Sequence, residues 1–383
     1  MPAKNKILYV SSLSGFCGGV ERYIYDTAGL LARSGFEVCG LFENTGRDAA
    51  EFNQIFNRVY VPADLAEINS SDFDVAFVHK TDNLELLRAV RQKFRTIVFV
   101  HDHDYYCVRR HKYFPICRIN CHLPANKIYC TLCGGLIAKQ QGKIKIGNTG
   151  DKFALMDEIR KCDRHLVMSE FMRNNLTMNG FAAEKICKIY PFRQKSLDFP
   201  EVSSVSDVVK ILYVGQLVRG KGVDLLLRAV RLLDIPFQLD IVGANNDEMM
   251  LRQMSVSLGL GEKINFAGWH SSPERFFAAA DIFAFSSRWQ EPFGLTGIEA
   301  FTYGVPVVAF DVGGVTEWLH NRENGLLVRE HDIAEFAAAL KILAQNRQLA
   351  KTMGNQGQAM VLRDYSPEQF IDNFKAVMAA VCG

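Results

Sequence analysis

The sequence has almost no net charge. Its 44 Lys and Arg stand against 42 Asp and Glu, a formal +2. Such a balance argues against a bulk nucleic-acid binder and leaves only local basic patches to consider. No apolar run is long enough to span a bilayer. The opening stretch MPAKNKILYV passes from a short polar start straight into a strand-like run, without the pattern of a signal peptide. No internal repeat is found, and no compelling Asp-x-Asp pair for a metal-bound diphosphate is read after a strand. Cysteine is not scarce. There are ten, and five of them crowd into residues 107–133. Reduced thiols in a cytoplasmic enzyme fit this usage better than a secreted disulfide scaffold.

At 383 residues the chain exceeds one comfortable core, so two domains are expected. Short apolar runs alternate with helical stretches: KILYVSS (6–12), a helix over 18–35, FEVCGLFE (36–43), FDVAFVHK (73–80), RTIVFVHDHD (95–104) and DRHLVMSE (163–170). This is the pattern of a parallel sheet with helices on both faces. It lapses in the serine-rich stretch 193–208, read as a linker, and restarts at VKILYVGQL (209–217). The predicted organisation is a first domain over 1–192, a second over 209–362, and a C-terminal helix in 363–383 packing back on the first. In fold class this is α/β, two doubly wound Rossmann-like domains facing across a cleft. In such sheets ligands bind beyond the carboxyl ends of the strands.

Several strand ends carry suitable chemistry. After the first strand, Gly15, Gly18 and Gly19 precede a helix. Amides there can meet an anion, or the turn is simply tight. The order is not the dinucleotide fingerprint Gly-x-Gly-x-x-Gly. GQLVRGKG (215–222) offers Arg219 and Lys221 beside free amides, a diphosphate cradle or an exposed basic turn. Gly313 and Gly314 follow a third strand. In EPFGLTGIEA (291–300), Glu291 ends a loop and Glu299 lies one turn into a helix starting near Leu295. A carboxylate near a helix start is favoured there, and vicinal sugar hydroxyls would suit it. The plainer alternative is capping by Glu291 and a solvated Glu299. Arg288 and Trp289 in the same loop either line the donor site or sit on the surface.

These segments resemble retaining glycosyltransferases of the GT-B fold, in the large family 4 (glycosyl transferases group 1). The Glu-x7-Glu segment in its EPFGLTGIEA context carries the resemblance most specifically, with VPVVAFDVGG and NGLLV beside it. The resemblance implies an enzyme moving a sugar from a UDP- or GDP-sugar to a glycan or lipid-linked saccharide, as in polysaccharide biosynthesis. It assigns Glu299 to the ribose hydroxyls and Glu291 to the transferred sugar. Phe293, Gly294 and Leu295 approach sugar and phosphates through their backbone, and Lys221 neutralises the diphosphate. Gly18 and Gly19 border phosphate and acceptor, and His101 closes on the sugar, with His103 as its rival in HDHD. The donor-binding set also takes in Gln216, Gly313 and Gly314. Gln216 stands where the family usually has arginine, and Arg219 is the cation placed to compensate. No metal cofactor is implied for catalysis. The implied mechanism is front-face attack, with the leaving phosphate taking the acceptor proton and His101 positioning the sugar. An acid–base role for its imidazole stays open. Other readings are another GT-B activity, such as nucleotide-sugar epimerisation, or a non-catalytic nucleotide-sugar-binding subunit.

Residues 105–150 hold eight Lys or Arg and no Asp or Glu. This insertion is expected to shape the acceptor side, with Arg109 and Arg110, and to suit an acidic or lipid-phosphate acceptor at the inner face of a membrane. Cys117, Cys121, Cys130 and Cys133 have the spacing of a structural zinc site; buried free thiols or an iron–sulfur cluster are the alternatives.

Overall fold

The structure is a computed structural model of the chain. It describes residues 5–114, 119–134, 138–140, 143–145, 149–193 and 207–383. Most of the expected linker, residues 194–206, lies outside the described residues. The chain forms two compact units, Met1–Tyr190 with Pro367–Gly383, and Pro191–Ser366.

Seventeen strands are named in chain order among the described residues. In the first unit they are β1 (Lys6–Ser14), β2 (Glu37–Thr45), β3 (Arg58–Tyr60), β4 (Val75–Lys80), β5 (Thr96–Phe99), the short β6 (Tyr113–Phe114), β7 (Ile119–Asn120), β8 (Ala138–Gln140) and β9 (Lys143–Lys145), then β10 (Arg164–Val167) and β11 (Ile186–Lys188). In the second they are β12 (Val209–Val214), β13 (Phe237–Val242), β14 (Ile264–Gly268), β15 (Ile282–Phe285), β16 (Val307–Phe310) and β17 (Gly325–Val328).

The first unit's sheet runs β11-β10-β5-β4-β1-β2-β3, with every pair parallel. Its central strands bury continuous runs such as Ile7–Val10 and Val75–Val78. Burial on both faces explains why these strands read as unbroken apolar segments. Chain order reverses between β1 and β4. The second unit's sheet runs β14-β13-β12-β15-β16-β17, also parallel throughout, and reverses between β12 and β15. Counting from β12, this is the order 3-2-1-4-5-6, and a ligand crevice forms where the order reverses. Both units are therefore doubly wound and Rossmann-like.

The C-terminal helix Pro367–Cys382 packs within the first unit. Its buried Phe374 lies against Phe36 and Phe77, with ring centres 6.2 and 5.2 Å away. Phe370 meets Tyr23. Arg164 Nη2 donates to Ala380 O at 3.2 Å. Burying each phenyl stabilises this docking by roughly 1.5–3 kcal/mol.

Some expected elements shift. β5 stops at Phe99, so His101–Asp104 forms a loop and not the end of a strand. Asp102 Oδ1 accepts from the amide of Asp104 at 2.7 Å, a local turn that competes with further sheet pairing. β10 likewise ends at Val167, because Ser169 caps the helix Glu170–Met178 by accepting from Met172 N. Described residues of the insertion 105–150 pack on the first unit. Tyr105 and Tyr106 join the first unit's core, with Cys107 and Cys130 packed against it.

Candidate active site

The segment with Arg219 and Lys221 lies at the reversal point of the second sheet. β12 ends at Val214, and a 3-10 turn, Arg219–Lys221, leads into the helix Val223–Val230. The segment after β15 is laced to this turn. Gly220 O accepts from Arg288 N at 2.9 Å and Trp289 N at 3.2 Å, and Ser286 Oγ donates to Lys221 O at 3.1 Å. Arg288 is buried and not on the surface, and its Nη2 donates to both carboxylate oxygens of Asp224 at 2.8 Å, so it ties the loop to the helix.

This lacing brings Lys221 to Glu291. Lys221 Nζ lies 2.7 Å from Glu291 Oε1, and Ser287 Oγ donates to the same oxygen at 2.5 Å. The Glu291 side chain is only 7% exposed, that of Lys221 28%. A buried carboxylate without partners would be costly, and these two supply them. The ammonium keeps two further N–H groups for an incoming anion. Burial, with the Glu291 charge adding to it, pushes the Tyr213 phenol well up, so it stays neutral. A small cavity of about 60 Å³ is lined by Gly215, Lys221, Phe285, Ser286, Ser287 and Thr296, among others. A sugar nucleotide needs several hundred Å³, so this cavity alone would not hold one.

Glu291 is fixed from behind. Gly314 N donates to Glu291 O at 2.7 Å. Gly313 sits at φ +61°, and a Cβ there would fall 2.2 Å from Glu291 O. The expected glycine pair therefore serves the acid's backbone directly. The helix Leu295–Thr302 begins after Gly294, and Glu299 is half-buried on its second turn. Phe293 turns its ring into the core against Tyr365, and its carbonyl accepts from Trp318 Nε1 at 2.6 Å. Leu295 opens the helix. Gln216 and Arg219 are exposed on the rim of the turn.

Comparison with known proteins fits this geometry. Residues 194–360 match the family model described as glycosyl transferases group 1. A crystal structure of Anabaena Alr3699/HepE in complex with UDP superposes with a TM-score of 0.77, at 18% identity, over 98% of this chain and 100% of that one. The chain has the GT-B fold, and its residues 194–360 are similar to glycosyl transferases group 1. Among curated relatives, the lipopolysaccharide core biosynthesis glycosyltransferase LpsE of Rhizobium meliloti is 26% identical over 249 residues, 64% of this chain and 72% of that protein. An uncharacterized glycosyltransferase of Haemophilus influenzae is 24% identical over 376 residues, 95% of this chain and 97% of the other. Lys221, Glu291, Glu299, Gly313 and Gly314 all fall inside the matched 194–360.

In the first unit, the enzyme's Gly18 and Gly19 are exposed where the helix Gly19–Arg33 starts, and no side chain caps its amides. His101 Nε2 lies 2.9 Å from His79 Nδ1. His79 is fully buried, stacked on Tyr9, and sequence reasoning missed it because it looks like one more residue of β4. Burial, helped by the nearby Lys80 charge, pulls His101 down to about 3. Its imidazole is neutral at ordinary pH. His103 is buried, with Nδ1 2.6 Å from the Tyr106 hydroxyl. Asp102 and Asp104 do have the Asp-x-Asp spacing that the sequence reading passed over. Lys80 Nζ engages both, at 3.4 and 2.9 Å.

Arg109 Nε donates to Cys133 O at 2.5 Å, and Arg110 pairs with Asp82 at 3.0 Å. Both arginines are thus tied into the loop. Among the described residues no disulfide joins Cys121, Cys130 and Cys133 to one another, and Cys117 lies outside the described residues. Burial, reinforced by Cys121, pushes the Cys107 and Cys130 thiols up. Among the described residues no three His, Cys, Asp or Glu side chains come together as metal ligands, and the four-cysteine site suggested by the spacing lies partly outside those residues. Among the described residues no helix is long and apolar enough to cross a membrane.

Proposed function

We propose that this enzyme transfers a sugar, with retention of configuration, from a nucleotide-sugar donor to a glycan or lipid-linked saccharide. The Lys221–Glu291 pair at the reversal point of the second sheet carries the reading. A cation and a carboxylate side by side match the two ends of such a donor. Lys221 meets the diphosphate, and Glu291 accepts from hydroxyls of the transferred sugar. Glu299 takes the ribose hydroxyls. Negative charge grows on the leaving diphosphate at the transition state, and Lys221, with Arg219 on the rim, stabilises it without a metal ion. The leaving phosphate takes the acceptor proton, and neutral His101 positions the sugar. HepE was solved with UDP-glucose as well as UDP, which makes UDP-sugars the first donors to try. The name of LpsE points to a lipid-borne saccharide acceptor.

The test is release of nucleoside diphosphate by the purified chain from UDP-glucose, UDP-N-acetylglucosamine and GDP-mannose, with and without saccharide acceptors. Lys221→Ala and Glu291→Ala should each lower turnover by about 10²-fold or more while far-UV circular dichroism stays unchanged. Unchanged turnover in both variants would overturn the assignment. The anomeric configuration of the product, read by NMR, decides retention.

A further inference from the structure

β4 is irregular at the reversal point of the first sheet. Val78 pairs with Val10 of β1 and Lys80 with Ser11, so the register shifts and His79 is left over between them. Such bulges re-aim a side chain and recur next to active sites. The His79 imidazole is buried in a box of rings. Tyr9 stacks on it with ring centres 5.1 Å apart, Phe77 tilts against it at 4.2 Å, and Phe99 lies 5.9 Å away. The Tyr105 hydroxyl donates to His79 O at 3.0 Å and holds the backbone.

Nδ1 of this ring lies 2.9 Å from His101 Nε2. Both imidazoles are neutral at ordinary pH. Burial, with the neighbouring His101 adding to it, pulls His79 well down, as burial and Lys80 do for His101. One of the two nitrogens therefore donates and the other accepts. His79 Nε2 decides which. It is buried, and among the described residues it has no hydrogen-bond partner. A proton there would be an orphaned donor, which folded proteins rarely keep, whereas an under-used acceptor is better tolerated. The His79 proton therefore sits on Nδ1, and His101 Nε2 accepts from it. His101 then carries its own proton on Nδ1, because the bond made by one ring nitrogen sets the state of the other. His101 is half-buried in the loop after β5, at the carboxyl end of the sheet. Phe99 and Tyr23 pack against its ring at 4.5 and 5.1 Å, so its plane is held along with its proton.

We propose that His79 is a positioning residue: through this bond it fixes His101 as a hydrogen-bond donor to a ligand oxygen and leaves that ring no free lone pair. The identity of the ligand rests on the proposed function, in which the oxygen is a hydroxyl of the transferred sugar. His101 then holds the sugar by its Nδ1–H. With Nε2 already occupied, the ring does not serve as the base for the acceptor hydroxyl. The tautomer itself is read without donor or acceptor, so failure of one reading leaves the other standing.

The experiment is long-range proton–nitrogen NMR of the full chain carrying isotope-labelled histidine, which reports the ring nitrogen that holds the proton. Signals lost in His101→Asn assign that residue. In wild type, His101 should be protonated on Nδ1 alone. His79→Phe keeps a ring against Tyr9 but removes the bond, so His101 should become a mixture of tautomers. His79→Asn puts an amide donor near the place of Nδ1 and should keep the single tautomer. With a donor that wild type turns over, His79→Phe should lower kcat about tenfold or more through loss of orientation, and His79→Asn should lower it less. Protonation of wild-type His101 on Nε2 would overturn the proposal. So would an unchanged tautomer or full turnover in His79→Phe, or the same mixture in both variants. The wild-type spectrum decides even where a variant fails to fold.

Discussion

Replacing Gly313 by alanine should loosen Glu291 without touching its side chain. The residue sits at φ +61°, and a Cβ would lie 2.2 Å from Glu291 O and 2.5 Å from Glu291 N. Left-handed backbone costs an L-residue about 1–2 kcal/mol. The Glu291 backbone must also retreat by roughly 1 Å to relieve the overlap, an overpacking cost of about 1–3 kcal/mol. A total near 3 kcal/mol lowers the melting midpoint of a domain this size by roughly 6–12 °C. The same retreat pulls the carboxylate from Lys221 and Ser287, and a 1 Å misplacement costs about 10²-fold in rate. Gly259→Ala is the control. It has a similar φ of +69° but nothing within 4 Å of its Cβ. It should cost only the ~1–2 kcal/mol backbone term and leave turnover intact. Thermal melts followed by circular dichroism, with diphosphate release, measure both variants. Equal melting shifts, or full turnover in Gly313→Ala, would refute the claim that this glycine seats the acid.

Two further outcomes follow from the same geometry. Arg288→Ala removes a buried guanidinium from Asp224. It should destabilise the second unit by about 2 kcal/mol, below the cost of breaking a fully buried pair because Asp224 partly reaches water. Urea unfolding checks this, and donor affinity measured below the transition should stay near wild type. Stability should also fall in mild acid through His165, which is fully buried and held down to about 4 by burial, despite its Nε2–H donating to Ile159 O. The folded value lies below the unfolded one near 6.5, so the contribution is complete above pH 6.5. It is lost as pH drops toward 4, at up to about 1.4 kcal/mol per pH unit. His165→Gln, which keeps a donor toward Ile159 O, should flatten that slope in urea titrations at stepped pH.

The sheets were legible because burial on both faces leaves apolar runs in the sequence, as at Ile7–Val10 and Val307–Phe310. The helix Arg347–Asp364 was not legible. Its polar run carries Gly354 and Gly357, which local propensity counts against a helix. Here they allow contact, since a Cβ at Gly354 would fall 1.8 Å from Gly304 O. Lys221 and Glu291 could be named from strand ends and family resemblance, but their 2.7 Å pairing joins segments 70 residues apart. The Arg288 tie was hidden for the same reason. Its partner Asp224 lies 64 residues away, and nothing nearby distinguishes a buried tie from a ligand contact. His79 carries no motif at all, and only the adjacency of β4 and β5 brings it to His101.

The central claim assigns Lys221 to the diphosphate and Glu291 to the sugar. Isothermal titration of wild type, Lys221→Ala and Glu291→Gln with UDP and UDP-glucose, and with GDP and GDP-mannose in parallel, separates the two contacts. For the pair that binds wild type, Lys221→Ala should weaken nucleotide and nucleotide sugar alike. Glu291→Gln should weaken only the nucleotide sugar and leave the bare diphosphate bound at least as tightly. Undiminished diphosphate affinity in Lys221→Ala, or an equal loss for both ligands in Glu291→Gln, would contradict the account.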